Sequence, residues 1–206
     1  MKKEHIEIYY DHYKDTFEKI SQEKIIRDKY FFYMLFLTML ILLSVCLPNV
    51  ICELFEALAK EKINYEKHFD FAWVKSLIIF TFIWISFTYY RSCLNIDRLY
   101  NYIHTLEKLL KKSGVKITRE SSNYLDNYPL VLSFIYRIYN IIIPLAIIIL
   151  FIFIWIHDNK IKISDWKITT IFDTVSEFTI IIASLLYFLR QNIPEAIKKH
   201  ILAKKC

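Results

Sequence analysis

The sequence predicts an all-α membrane protein: a four-helix transmembrane bundle with helical cytoplasmic extensions. Three observations predict it. The chain is 55% apolar and 17% aromatic, with a mean hydropathy of +0.30, above the ~45–50% apolar usual for soluble domains. The apolar residues are gathered into blocks separated by charged stretches, as in multi-pass proteins. Gly occurs once, at Gly114, and Pro four times, which argues against tight β-hairpins and against Gly-rich phosphate loops.

The first block runs from Tyr30 to Leu47 and stops at Pro48-Asn49. At ~1.5 Å per residue it just spans a hydrocarbon core of ~30 Å. A removable signal peptide is the competing reading, but the block lies far from Met1 and no small-residue cleavage site follows it. The second block runs from about Phe71 to Tyr90, with Lys75 near its start. The third runs from about Val131 to Ile156 and contains Asn140 and Pro144. Pro144 lacks an N–H and frees the carbonyl of Asn140, so a kink is expected there. The fourth runs from about Ile168 to Leu189 and is the weakest, because Asp173 and Glu177 interrupt its first half.

Charge sets the expected topology. Lys and Arg in the flanks number seven in 1–29, three in 53–71, seven in 91–130, three in 158–167 and five in 190–206. The positive-inside rule places the three richer flanks, and both termini, in the cytoplasm. Tyr30, Tyr33, Trp73, Tyr89, Tyr90, Trp155, Trp166 and Tyr187 mark the expected interfaces. The division is a cytoplasmic amphipathic helix in 1–29, a first transmembrane pair with a short outer loop in 30–90, a cytoplasmic helical region in 91–130, a second transmembrane pair in 131–190 and a basic cytoplasmic tail in 191–206.

In the first cytoplasmic stretch Ile6, Tyr9, Tyr13, Phe17, Ile20 and Lys24 recur at three- and four-residue steps. This predicts an amphipathic helix that continues into the first membrane helix as one rod. In the second, Leu99, Ile103, Leu106 and Leu110 form a similar stripe, Lys111 and Lys112 complement the helix C-terminus, and Gly114 supplies a C-cap. Thr118 or Ser121 would cap a shorter helix ending before Pro129. The two stripes could meet within one chain or between subunits of a homo-oligomer. Lys108, Lys111, Lys112, Lys116 and Arg119 form a basic cluster. It is either a solvated or headgroup-facing surface or a patch for an anionic ligand, such as a nucleotide or oligonucleotide, because Lys and Arg pair with phosphate.

Asp173 and Glu177 lie one turn apart on the fourth segment, and Thr170 and Ser184 continue their face. Ile171, Val175, Phe178 and Ile182 occupy the opposite side. A carboxylate in a membrane helix costs ~2.5–3.5 kcal/mol on insertion scales and faces a bundle interior or an aqueous cavity. Counted from Lys167, Asp173 is ~9 Å and Glu177 ~15 Å along the helix. Three readings stand: a cation pathway lined by Thr170, Asp173, Glu177 and Ser184, an intrachain polar lock with Lys75 as the candidate cation, or a shorter span with Asp173 at the headgroups. The six His and four Cys are scattered, so no metal, cofactor or catalytic residue is expected, and the chain reads as no enzyme.

The layout resembles small multi-pass membrane effectors of bacterial anti-phage systems, such as the Hailong type. The shared features are a chain of this length rich in Ile, Lys, Tyr and Asn, a helical cytoplasmic part and no enzyme motif. The stretches Arg98 to Glu107, Thr118 to Glu120 and Asn123 to Pro129 are similar to parts of bacterial membrane proteins. The resemblance implies an oligomeric inner-membrane channel that depolarises the cell when released and is held closed by a nucleotide-type signal. A non-conducting membrane adaptor that docks a cytoplasmic partner is the other function considered.

Overall fold

The computed structural model describes residues 3–63, 71–115, 130–158 and 168–192. Helix α1 covers Lys3–Cys46, α2 Pro48–Ile63, α3 Phe71–Lys112, α4 Leu130–Arg137, α5 Ile143–Asp158 and α6 Ile168–Asn192, with a π-helical turn at Ile138–Ile142 between α4 and α5. Among the described residues there is no strand. Four helical stretches are long and apolar enough to cross a membrane: Ile6–Cys46, Ala72–Lys112, Ile138–His157 and Ile168–Arg190.

α1 has neither Gly nor Pro along its length, so nothing interrupts its i→i−4 ladder. The expected rod from the amphipathic stretch into the first apolar block is therefore one helix. α3 is the same case. The second apolar block and the Asn95–Leu110 stripe lie on one helix, again with no Gly or Pro between Phe71 and Lys112. The expected end of the first block at Pro48 is a change of helix. Leu47 is the single non-helical residue, and Pro48 opens α2 as its first residue, where a missing N–H costs nothing.

The chain divides into two compact units. Unit 1 is Met1–Tyr33 with Ile85–Ile135, and unit 2 is Met34–Trp84 with Tyr136–Cys206. In unit 1 the two sequence stripes face each other within one chain. Tyr13 and Ile20 of α1 form a buried cluster with Ile103, Leu106 and Leu110 of α3, flanked by Ile6, Tyr9, Phe17, Leu99, Tyr100 and Val115. Polar contacts pin the register. Glu23 accepts hydrogen bonds from the Ser92 hydroxyl at 2.7 Å and from Asn95 Nδ2 at 3.1 Å. Lys24 Nζ donates to the Tyr100 hydroxyl at 2.8 Å. Glu107 is buried, and the Tyr13 hydroxyl lies 3.5 Å from its Oε1, a long contact for an O–H donor.

α3 ends in a Schellman motif. Val115 N–H donates to the Leu110 carbonyl at 3.0 Å and Gly114 N–H to the Lys111 carbonyl at 3.2 Å. Gly114 takes the left-handed φ of 86° that the motif needs, and Val115 packs back on the unit 1 cluster. The expected Gly114 cap is thus present. The expected helix opened by Thr118 or Ser121, and Pro129, lie outside the described residues.

Unit 2 has its own core. It includes Met34, Ile41 and Val45 of α1, Ile78, Ile79 and Phe82 of α3, and Ile147, Phe151 and Ile154 of α5. The Phe82 and Phe151 rings meet at 5.2 Å, Phe80 and Phe172 at 6.1 Å, and Trp155 and Phe178 at 5.8 Å.

The exposed surfaces of the two units differ in composition. Along α1, Asp11, Lys14, Asp15, Glu18, Lys19 and Gln22 are exposed together with Ile8, Tyr10, Ile25 and Ile26, whereas between Phe32 and Leu43 the exposed residues are Phe32, Tyr33, Leu35, Phe36, Met39 and Leu43. α3 changes in the reverse sense, from exposed Trp73, Leu77, Phe80, Trp84 and Phe87 to exposed Arg91, Arg98, Lys108 and Lys111. An apolar exterior of this extent is consistent with a multi-pass membrane protein.

Leu106→Ala should remove ~2–5 kcal/mol from unit 1, as a buried Leu truncation does, and Gly114→Ala ~1–2 kcal/mol through its forced left-handed backbone. Amide hydrogen exchange of the full chain in nanodiscs checks both. Faster exchange should appear in Leu99–Leu110 and Ile6–Ile20, with α6 unchanged.

Candidate functional site

α6 carries its polar residues inward. Thr169, Asp173, Ser176, Glu177, Ile180, Ser184 and Tyr187 are all buried. At 100° per residue they fall within an arc of about 100°. Ile171, Phe172, Val175, Phe178, Ile182, Leu185, Leu186 and Leu189 are exposed around the rest of the helix. The distribution is inverted relative to a soluble helix. It is the distribution that a low-dielectric exterior requires, with apolar residues outside and polar ones inside.

Of the four residues expected on this face, Asp173, Glu177 and Ser184 are buried, with Glu177 1% and Asp173 8% exposed. Asp173 Oδ1 and Glu177 Oε1 are themselves shielded from solvent. Thr170 is only half-buried, because it lies at the margin of the arc, and its neighbour Thr169 takes the inward position. Ser176 joins the face and was not expected there. It sits three residues after Asp173, a step that periodicity allows as readily as four. Thr174 and Thr179 turn their hydroxyls onto their own helix, donating to the Thr170 and Val175 carbonyls at 2.8 Å each.

The π turn brings a second polar group to the same helix. Its last bond runs from the Ile143 N–H to the Ile138 carbonyl, and the next residue, Pro144, has no N–H to give. The kink expected at Pro144 therefore takes the form of a register change, which a π turn accommodates at a missing donor. Asn140, inside the turn, is buried, and its Oδ1 accepts a 2.8 Å hydrogen bond from the Tyr187 hydroxyl. Tyr187, read from the sequence as an interfacial marker, is instead a buried donor. Tyr89 and Tyr90 are likewise buried, whereas Trp73 and Trp155 are exposed.

Thr169 to Tyr187 covers five helical turns, ~27 Å, close to the ~30 Å of a hydrocarbon core. The inward face of α6 is thus a polar stripe nearly as long as a membrane is thick. Ile180 interrupts it between Glu177 and Ser184, with no solvent exposure. Ser44, Ser76 and Asn140 are further buried polar residues of unit 2, and Lys75 is half-buried one turn into α3.

The basic cluster is described in part. Lys108, Lys111 and Lys112 are exposed at the end of α3, and Lys116 and Arg119 lie outside the described residues. No group of three metal-ligating side chains occurs among the described residues. No family model, curated protein or solved structure matches the chain.

Tyr187→Phe should cost ~0.6–1.7 kcal/mol, the range of interhelical hydrogen bonds in membranes. The same loss should vanish in an Asn140→Leu background. Thermal unfolding in detergent of the four members of that double-mutant cycle checks it.

Proposed function

We propose that the chain is a cation-conducting membrane protein whose pathway follows the inward face of α6. The observation that carries this reading is the burial of two carboxylates, Asp173 and Glu177, in a hydroxyl-rich stripe on a helix with an apolar exterior. Buried carboxylates attract cations and reject anions. Thr169, Ser176 and Ser184 offer oxygen ligands that replace part of an ion's hydration shell. The stripe is buried within one chain, so this reading takes the path along α6 within each chain of an oligomeric channel.

Ile180 is the apolar step in this path. A constriction of that kind holds a pore closed by excluding water. Unit 1 is the regulatory part in this reading, since α1 and α3 each contribute to both units. The exposed end of α3, with Lys108, Lys111 and Lys112, is where an anionic regulator such as a nucleotide would bind. The resemblance to anti-phage effectors supports a place in a bacterial inner membrane and a role in defence, and the alternation of Lys and Arg between flanks supports cytoplasmic termini. The adaptor reading has one observation in its favour, the polar-surfaced helix pair of unit 1, which is also the form a docking module takes.

Planar-bilayer recording of the purified chain tests the proposal. A cation-selective conductance is expected, and the Asp173→Asn, Glu177→Gln double variant should reduce cation over anion selectivity by about tenfold, equivalent to ~1.4 kcal/mol. Absence of conductance under every regulator tried, together with a stoichiometric soluble partner on co-purification, would favour the adaptor. Ile180→Ser should raise basal conductance by opening the dry step. An unchanged current in that variant would remove Ile180 from the path.

A further inference from the structure

α2 follows the first membrane segment after one non-helical residue, and it has three faces. Ile51 is buried, and Cys52, Phe55 and Glu56 beside it are half-buried, so this face turns to the chain. Asn49, Glu53 and Lys60 form an exposed polar face. Leu47, Val50, Leu54 and Leu58, with Ala57, form an exposed apolar face about 100° wide. Glu61 falls on that arc only near the C-terminal end. A soluble helix does not need this third face, and a spanning helix would not carry the second.

The helix has 16 residues, ~24 Å, whereas crossing takes ~20 apolar residues. It therefore does not span. Its exposed apolar face nevertheless comes directly after that of α1 in the chain. Met39 and Leu43 are exposed on α1, and Leu47, Val50, Leu54 and Leu58 follow at steps of three or four residues, across the break at Pro48. With α1 spanning a membrane, the exposed apolar face of α2 begins one residue from the end of that span and is within reach of the same lipid.

We propose that α2 lies in the membrane–water interface at the end of the first span. Leu47, Val50, Leu54 and Leu58 enter the acyl boundary, and Glu53 and Lys60 sit among the headgroups. This is the arrangement of an interfacial amphipathic helix. Its charged residues Glu53, Glu56, Lys60, Glu61 and Lys62 nearly balance, so the contact is apolar in origin and indifferent to anionic lipid. The inference rests on the membrane-spanning reading of α1 and is independent of conduction.

The test uses the full chain with Cys46, Cys52, Cys93 and Cys206 changed to Ser, reconstituted in phosphatidylcholine vesicles. A nitroxide is attached in turn to Val50→Cys, Leu54→Cys, Leu58→Cys, Glu53→Cys and Lys60→Cys, with Met39→Cys as the reference inside the span. Oxygen should relax the labels at 50, 54 and 58 several-fold more than a water-soluble nickel chelate does, with the reverse at 53 and 60. Adding phosphatidylglycerol should leave the pattern unchanged. Chelate access at 50, 54 and 58 with oxygen access kept at 39 overturns the placement of α2 alone, and chelate access at 39 overturns the spanning reading beneath it. Exclusion of both reagents at 50, 54 and 58, with spin–spin broadening, overturns the proposal in favour of a second copy on this face. If the Cys-free chain does not assemble, a benzoylphenylalanine at Leu54 of the otherwise native chain serves instead. A lipid adduct is expected, and a chain-to-chain adduct overturns the proposal.

Discussion

The constraint on which the rest of this structure depends is an apolar exterior on helices long and apolar enough to cross a membrane. Where water is present, a helix can leave terminal N–H and C=O groups to solvent and place charges outward. Where it is absent, every backbone group must be satisfied along the helix, and the exterior must be apolar. α1 and α3 meet both conditions in one helix each. Their exposed residues change from charge-rich to apolar near Phe32 along α1 and from apolar to charge-rich after Phe87 along α3, while the backbone continues without Gly or Pro. The same constraint explains why the internal faces differ. Unit 1 buries Ile20, Ile103, Leu106 and Leu110 because burial of apolar surface drives association in water. Unit 2 receives no such driving force against lipid, so it draws on aromatic contacts such as Phe82 with Phe151 and on polar pairs such as Tyr187 with Asn140.

Much of this was legible in the sequence because helical periodicity is a strong signal over long segments. The residues at steps of three and four in Ile6–Lys24 and Leu99–Leu110 are the ones that meet in unit 1. The inward side of α6 was legible from Asp173 and Glu177, since two carboxylates can only turn away from lipid. Finer features were not. Thr169 and Thr170 differ by one residue, and a pattern of period 3.6 fixes a face only to within about that step. Pro144 announced a disturbance but not its kind, because a kink and a π turn answer the same missing donor. Tyr187 has an amphipathic side chain that suits an interface equally well, and only Asn140 opposite it decides the matter.

α2 was read as an outer loop for a related reason. Its charges, Glu53, Glu56, Lys60 and Glu61, are dense enough to mask the stripe of Val50, Leu54 and Leu58 when the segment is scanned for a continuous apolar run. A spanning helix is found by its mean composition, whereas an interfacial helix shows only in how its residues divide among faces. Pro48 does not reveal the helix either, since a Pro that ends one helix is equally suited to begin the next.

The two polar devices of unit 2 bear differently on function. Asn140 and Tyr187 form a neutral pair at 2.8 Å, which joins the π turn to α6 at little cost because neither group carries charge. A helix that needed only to be held in place could use such pairs throughout. α6 instead carries two carboxylates one turn apart, each burdened by an insertion cost of ~2.5–3.5 kcal/mol, with hydroxyls of Thr169, Ser176 and Ser184 on the same arc. Neutral hydrogen bonding would lock the bundle more cheaply. Two carboxylates set in a polar stripe ~27 Å long call for a cation to meet them, whether a conducted ion or a side chain such as Lys75, and that requirement separates this face from the neutral pair.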